Sequence, residues 1–315
     1  MAIIGAGRLG TALGLALKSV GYKIEVVAAK SASSATRSAR AFGPGTLALS
    51  DRQMNRMSPA QIQRLDCCSL VLIATPDDVI ARVAERLSEM FAAKRIPRKG
   101  TRTPAKQRVA LHTSGALAAN VLKPMGSSGF AIGSLHPLVS ISESRSGAGL
   151  LTQGFFSVEG DPGAVRMGRL IVSDLGGESF IIDSRHKALY HAAAVTASPH
   201  ITALFDIALD ILKVCGLSPQ QAQRVLLPLV KSTVANLAIH QPARALTGTF
   251  KRGDISTVQK HLAALKAANL TQALSAYVLL GQKSISMARK HSPKAAGLDE
   301  IERMLSRVSR EILRR

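Results

Sequence analysis

At 315 residues, with 46% hydrophobic and only 3% aromatic residues and no tryptophan, the chain exceeds one ordinary domain and must fill its cores with Ala, Leu, Val and Ile. The formal charge of +21, from 41 basic against 20 acidic residues, raises a polyanionic partner, but the aromatic-interleaved motifs of nucleic-acid modules are missing. Cys67, Cys68 and Cys215 have neither metal-ligand spacing nor the even count of a disulfide framework, which points to a reducing cytoplasm.

In chain order, Ile3 and Ile4 run into Gly5-Ala6-Gly7-Arg8-Leu9-Gly10, Thr11 to Val20 reads as an amphipathic helix closed by Gly21, and Lys23 to Val27 reads as a second strand. A strand at the first residues leaves no room for a signal peptide. Strand, glycine turn, helix and strand at this spacing make a dinucleotide-binding unit. Gly5 permits the tight turn, Gly7 lets the backbone approach a pyrophosphate, and Gly10 lets the helix pack on the strand. Ala6, Arg8 and Leu9 complete the turn at a helix N-terminus, whose amides and dipole favour phosphate. At the end of the second strand, where NAD sites carry an acid for the ribose hydroxyls, stand Ala28-Ala29-Lys30-Ser31-Ala32-Ser33. Lys30 and Ser31 offer a cation and a hydroxyl to a 2′-phosphate, so NADP(H) is the expected cofactor. Glu25 lies inside the strand, too early for the acidic role.

Ser69 to Thr75 is a continuous apolar run, the pattern of a strand buried on both faces of a parallel sheet, and Pro76-Asp77-Asp78 opens a helix over Val79 to Met90. The densest basic stretch, Lys94 to Arg108, contains Pro97, Gly100 and Pro104 and reads as a solvated loop rather than a nucleic-acid arm. Further strands are expected at Arg108 to His112, Phe130 to Leu135, Phe155 to Val158 and Ser179 to Ile182, with a helix opened by Asp161-Pro162. Ligands of open parallel sheets sit beyond the carboxyl ends of the strands. Those ends read Ala74-Thr75-Pro76, His112-Thr113-Ser114-Gly115 and Leu135-His136-Pro137.

After Asp183 strand signals stop, and helical patterns follow over Ser184–Val214, Ser218–Ile239, Asp254–Ala268, Thr271–Lys290 and from Leu298 onward. The apolar stretch Ala188 to Leu212 is interrupted by His191, Ser198, Pro199, His200, Asp206 and Asp210, which favours a buried helical segment over a membrane span. Lys187, His191 and Ser198 fall on one face of that helix, a polar stripe that a substrate cleft would satisfy. Downstream, Ala245 to Asp254 forms a polar, glycine-containing loop, in which Asp254 reads as a helix cap. The histidines show no metal-ligand spacing, so no metal is expected.

These residues resemble a known group, bacterial proteins that join an NADP-binding Rossmann domain to a helical domain of unknown function. The group lies within the 6-phosphogluconate dehydrogenase, ketopantoate reductase and pyrroline-5-carboxylate reductase superfamily. The resemblance rests on GAGRLG at 5–10, ATPDD at 74–78, HTSGA at 112–116, GSLHPL at 133–138, LYHAAAV at 189–195, and ALTG with RGD followed by Thr257 and His261. It implies an α/β Rossmann domain with a mainly parallel, doubly wound sheet over 1–183. An all-α domain of the 6-phosphogluconate dehydrogenase C-terminal-like type then covers 184–315. It also implies a homodimer through the helical domain and hydride transfer to a small C=O or C=N substrate in an interdomain cleft, in some members ketopantoate. Two positions depart from the group: Pro199 stands where Asn is usual, and Gly248-Thr249 where Gly-Pro is usual.

The expected site follows. NADPH lies across Gly5 to Gly10, Lys30 and Ser31, with its nicotinamide near Ala74, Thr75, Pro76, His112 and Ser114. His191 or Lys187 supplies the proton, with Ser114 beside them. His136, Ser198, Arg252 and Asp254 face the substrate, and Arg252 is suited to grip a carboxylate bidentately. The competing reading is a binding protein that senses NADP(H) without turning it over, which the Pro199 departure favours.

Overall fold

The computed structural model describes residues 1–92, 107–291 and 297–314, and the chain divides into two compact units, Met1–Ala197 and Ser198–Arg315. Most of the basic loop expected between 94 and 108 falls outside the described residues.

In the first unit, β1 (Ala2–Ile4), α1 (Arg8–Ser19), β2 (Val26–Ala29), α2 (Ala32–Phe42) and β3 (Leu47–Ser50) form one wing of the sheet. After the short α3 (Asp51–Met54) and α4 (Pro59–Asp66), the chain crosses back to lay β4 (Leu70–Ile73), α5 (Asp77–Ala92) and β5 (Arg108–His112) on the other side of β1. There follow α6 (Lys123–Ser127), β6 (Phe130–Pro137), α7 (Ser144–Leu151), β7 (Phe155–Gly160), α8 (Pro162–Asp174) and β8 (Glu178–Ile181). Among the described residues the strand order is β3-β2-β1-β4-β5-β6-β7-β8, parallel from β3 to β6, antiparallel between β6 and β7, and parallel again between β7 and β8. Order reverses at β1, so the crevice beyond the carboxyl ends of β1 and β4 is the switch point where ligands bind in sheets of this kind.

The continuous apolarity of β4 has the expected cause. Val71 and Ile73 join one core with Ala2, Ile4, Val26 and Ala28, while Leu70 and Leu72 join another with Leu13, Leu17, Val109 and Leu111. The second strand starts later than expected, at Val26, because Glu25 turns to the surface and pairs with Lys23 and Arg64. Arg108 also differs from the solvated base expected of it. Its guanidinium stacks between Phe91 and Phe130, 4.4 and 4.1 Å from their ring centroids, and binds Asp66 at 2.9 Å.

The single helix expected over Ser184–Val214 is broken. A turn of 3-10 helix (Ser184–His186) leads into α9 (Lys187–Ala197), and α10 (Pro199–Val214) starts afresh. A proline disfavours helical geometry in the residue before it, and Ser198 adopts φ −132° and ψ −77°. Pro199 then takes the first helical position, where its missing N–H is harmless. The compact units accordingly divide at 197/198 rather than at 183, α9 staying with the sheet.

The second unit continues from α10 through α11 (Pro219–Ile239), α12 (Pro242–Ala245), α13 (Thr249–Arg252), α14 (Ile255–Ala267), α15 (Thr271–His291) and α16 (Leu298–Leu313). Ser218 and Gln221 close a capping box that starts α11. Its core joins Val258, Leu262 and Leu265 of α14, Leu274, Val278 and Ile285 of α15, and Leu298, Ile301, Leu305 and Val308 of α16. The apolar α10 is not the buried segment expected: none of its residues is buried, and Ile201 and Leu204 are exposed. On α11, Val225, Leu229, Val234, Leu237 and Ile239 are exposed as well. Among the described residues, Ser184–Val214 is one helical stretch long and apolar enough by composition to cross a membrane, but the break at Pro199 and the charges of Asp206 and Asp210 oppose that use.

Candidate active site

The glycine turn is built by contacts between strand ends. Ala28 O accepts the N–H groups of both Gly5 and Ala6, and Ile4 O accepts the Ala74 N–H at 2.7 Å. Gly5 has φ +107°, and a Cβ there would lie 2.5 Å from the Ala74 carbonyl carbon, so only glycine fits. A Cβ on Gly10 would overlap the Gly5 carbonyl oxygen. Gly7 is the opposite: it is exposed, nothing lies within 4 Å of where its Cβ would be, and it caps α1 without any side-chain hydrogen bond. Two glycines thus press strand and helix together, while the third leaves bare backbone facing open space at a helix N-terminus. Leu9 is half-buried and Arg8 exposed at the mouth of the turn. This cradle fits a pyrophosphate.

Lys30 follows β2 and is exposed, and Ser31 caps α2 by accepting the Ser34 N–H at 3.2 Å. The Ser31 hydroxyl also contacts those of Ser33 and Ser34, at 3.1 and 3.0 Å. A cation beside clustered hydroxyls thus stands at the end of β2, and the only nearby acid in sequence, Glu25, is committed to Lys23 and Arg64.

At the carboxyl ends of β4, β5 and β6 the polar groups interlock. Thr113 N donates to Ile73 O, tying the β5 exit to β4. His112 is fully buried; its Nδ1 accepts the Ser114 N–H at 3.2 Å and its Nε2 lies 3.3 Å from Ala118 O, which requires the Nε2–H tautomer. Burial, together with the charge of Lys187, lowers His112 to about 4, so the ring is neutral. Both of its nitrogens are used within the fold, where the ring shapes the turn. Ser114 is similarly committed: its hydroxyl donates to Asp77 Oδ2 at 2.7 Å and accepts the N–H groups of Ala116 and Leu117. These bonds hold the loop that follows β5.

Lys187 is the most unusual side chain in the unit. It is only 1% exposed, and its ammonium donates to Ser134 Oγ at 2.8 Å and to the Ser114 carbonyl at 3.2 Å. Burial pulls it below the ordinary lysine range, opposed by the carboxylates of Glu159 and Asp77. One helical turn on, His191 stacks edge-to-face on His136, with ring centroids 5.5 Å apart. His136 Nδ1 pairs with the Tyr190 hydroxyl at 2.8 Å. Burial, Lys187 and His191 lower His136 to about 4, so it too is neutral. His136 lies inside β6, opposite Ser157 of β7, and not beyond the strand end as expected. Gly115 closes the group: a Cβ there would sit 2.5 Å from His191 Nδ1 and 2.7 Å from His136 Nε2. Among the described residues, Thr75 Oγ1 and His191 Nδ1 are buried polar atoms with no hydrogen-bond partner. Ala74 and Pro76 flank Thr75 at the mouth of α5.

Ser198, Arg252 and Asp254 belong to the second unit. The Pro199 break takes Ser198 off the helical face that carries Lys187 and His191. Arg252 is exposed at the end of α13, and Asp254 caps α14 by accepting from Thr257 N at 3.1 Å and Thr257 Oγ1 at 2.8 Å. His261 pairs with the Tyr277 hydroxyl at 2.9 Å. Sequence reasoning left Glu159, Ser134 and Tyr190 without a role. Of these, only Glu159, a lone acid ending an apolar strand, carried a visible signal. No group of metal-ligating side chains occurs among the described residues.

Comparison with known families places both halves. A Rossmann-like domain matches residues 1–137, and a domain of unknown function, DUF2520, matches residues 154–284. The chain joins a Rossmann-like domain to a DUF2520 domain. This is the pairing that the sequence motifs resemble, and the DUF2520 match begins at β7 in the first unit. Among solved structures, protein TM1727 from Thermotoga maritima is similar over 91% of this chain and 99% of its own, with 23% identity and a TM-score of 0.69. Pyrroline carboxylate reductase from Plasmodium falciparum, with NADP bound, covers 91% of this chain and 97% of its own at 16% identity, TM-score 0.54. A reductive aminase from Aspergillus terreus, in complex with NADPH and ethyl levulinate, covers 96% and 98% at 16% identity, TM-score 0.59. At these identities the likeness is one of fold. No curated protein matches the chain significantly.

Proposed function

We propose that this protein is an NADP(H)-dependent reductase of a small C=O or C=N substrate. The observation that carries the reading is the buried ammonium of Lys187, held by the loop that leaves β5 and by a hydroxyl inside β6, in the same sheet whose switch point the glycine turn opens. A fold has little use for a desolvated cation unless its charge acts on something. The two solved relatives whose complexes contain NADP or NADPH support the cofactor. Lys30 with Ser31, Ser33 and Ser34 supports NADPH over NADH.

When bound, NADPH supplies a hydride to the substrate carbon. Gly5 to Gly10 would receive the pyrophosphate, and Thr75, with its unpartnered hydroxyl, would orient the nicotinamide end. Lys187, fixed and cationic, polarises the C=O or C=N bond by its field. His191 delivers the proton to the substrate oxygen or nitrogen: its buried Nδ1 has no hydrogen-bond partner among the described residues, whereas the ammonium of Lys187 is already bound. His136, fixed by Tyr190, is the substrate contact of this reading. The exposed apolar faces of α10 and α11 favour a homodimer through the second unit, since a monomer would leave them wet. The free Cys67, Cys68 and Cys215 suit a cytoplasmic setting.

The test is calorimetric titration with NADPH and NADH, then NADPH oxidation with a panel of small 2-oxo acids and cyclic imines that includes ketopantoate. Turnover of a panel member that falls at least ~100-fold in both Lys187→Met and His191→Asn, with NADPH binding kept, supports the assignment. Tight NADPH binding without turnover moves the protein to the nucleotide-sensing reading, and no binding of either nucleotide overturns the proposal.

A further inference from the structure

The ammonium of Lys187 rests on two neutral groups, the Ser114 carbonyl and the Ser134 hydroxyl. A buried cation without an anion nearby would shed its proton. The sheet supplies the anion on the strand next to Ser134. In the antiparallel β6–β7 ladder, Ser134 is the direct partner of Glu159, and side chains of such a pair share one face of the sheet. Glu159 is 8% exposed, so its carboxylate is also out of water. Its Oε1 accepts the Ala119 N–H at 2.5 Å, and the preceding residue's carbonyl, Ala118 O, is held by His112. One peptide, 118–119, is thereby clamped between His112 and Glu159, which fixes where the carboxylate sits.

We propose that Glu159 is the buried counter-charge of Lys187, a positioning residue that keeps the ammonium protonated across the Ser134 hydroxyl. The proposal rests on the reductase reading only for its consequence, the pH range in which the cation can polarise a substrate. The other groups facing Lys187 do not replace Glu159. His112 and His136 are neutral, Tyr190 presents its ring 5.8 Å away, and Asp77 lies at the mouth of α5, where its carboxylate is taken by the Ser114 hydroxyl. The electrostatics agree: Glu159 gives the largest support to the charged lysine and Asp77 the smaller, while burial pushes the Glu159 carboxyl up, opposed first by the Ala119 N–H and then by Lys187.

The pair can be read in the full-length protein without substrate or cofactor. With [ε-13C]lysine labelling and Lys187→Arg to assign the signal, the Lys187 titration midpoint is followed between pH 6 and 11 in the wild type, Glu159→Gln and Glu159→Asp. The midpoint falls by about one pH unit or more in Glu159→Gln, at least ~10-fold in proton affinity, and by much less in Glu159→Asp, which keeps the charge. Linkage demands the reciprocal: in Lys187→Met, the carboxyl of Glu159, followed by [δ-13C]glutamate labelling, titrates higher by the same amount. Midpoints unmoved in the folded variants overturn the proposal, as does a shift in one arm without its reciprocal. Should Glu159→Gln fail to fold, the Lys187→Met arm decides alone. Because NADPH is absent throughout, failure of the reductase reading and failure of the pair are separate results.

Discussion

Two glycine-to-alanine substitutions, three residues apart, should fail in opposite ways. In Gly10→Ala the new methyl overlaps the Gly5 carbonyl oxygen and lies 3.1 Å from Ala74 Cβ. Alanine inside a helix gains roughly 0.8–1.0 kcal/mol over glycine. Overpacking at a strand–helix contact typically costs ~1–3 kcal/mol, and the obstacle here is backbone, which cannot rotate aside. With the cost at the upper end of that range, the net is a loss of about 1–2 kcal/mol as α1 is pushed off β1. In Gly7→Ala nothing lies within 4 Å of the methyl and φ is −77°, so the backbone accepts it. Replacing glycine by alanine at a helix N-cap costs about 0.5–1 kcal/mol. The methyl, however, stands where the pyrophosphate would approach, and NADPH affinity should drop at least ~10-fold, about 1.4 kcal/mol. Urea unfolding and calorimetric titration with NADPH separate the two: Gly7→Ala folds nearly as well as wild type and binds poorly, while Gly10→Ala is the less stable protein. If Gly7→Ala bound NADPH with wild-type affinity, the placement of the phosphates on this turn would be refuted. If Gly10→Ala proved as stable as the wild type, the close approach of α1 to β1 would be.

The other predictions concern the histidine cluster. Gly115→Ala drives a methyl into the His136 and His191 rings, so it should lose about 1–3 kcal/mol of stability in urea and most turnover; unchanged turnover would remove both rings from the site. Tyr190→Phe deletes the hydroxyl bound to His136 Nδ1 while keeping the edge-to-face stack, and should cost about 0.5–1.5 kcal/mol; a stability loss beyond 3 kcal/mol would mean the hydroxyl supports more than this bond. Stability should also depend on pH. His112 and His136 titrate at about 4 in the folded chain against 6.5 for an unperturbed histidine, so the unfolded chain takes up protons first. The stability they confer is present above about pH 6.5 and is lost as pH falls toward 4, by up to ~3 kcal/mol for each ring. Urea midpoints measured from pH 7.5 to 4.5 should fall steadily, and His112→Asn or His136→Asn should flatten the slope; a flat wild-type profile would show that the rings are charged or accessible.

What could be read from the residues alone was whatever depends on neighbours in sequence. The glycine turn, the doubly buried β4 and the start of α11 are local patterns, and each appears where its pattern lies. The β3 strand escaped because it is a short edge strand, half of it only partly buried, behind Gly43-Pro44-Gly45, and so has no long apolar run. Pro199 was visible, yet the apolar run on either side of it suggested one helix. The pre-proline restriction on Ser198 outweighed that run, and Ser198 left the stripe it was expected to share with Lys187 and His191.

The chemistry of Lys187 was out of reach for a different reason. Its acceptors stand 73 and 53 residues away, on the exit of β5 and inside β6. No spacing rule joins them. They meet because the parallel register of β5 and β6 sets His112 beside Ser134, bringing the Ser114 carbonyl within reach of the Ser134 hydroxyl at 3.2 Å. The carboxylate depends on the one antiparallel pairing in the sheet. In its register Glu159 is set directly opposite Ser134. The reversal of direction after β6, shared by β7 and β8 and not expected of a parallel Rossmann pattern, is therefore what sets a carboxylate on the strand beside the buried cation.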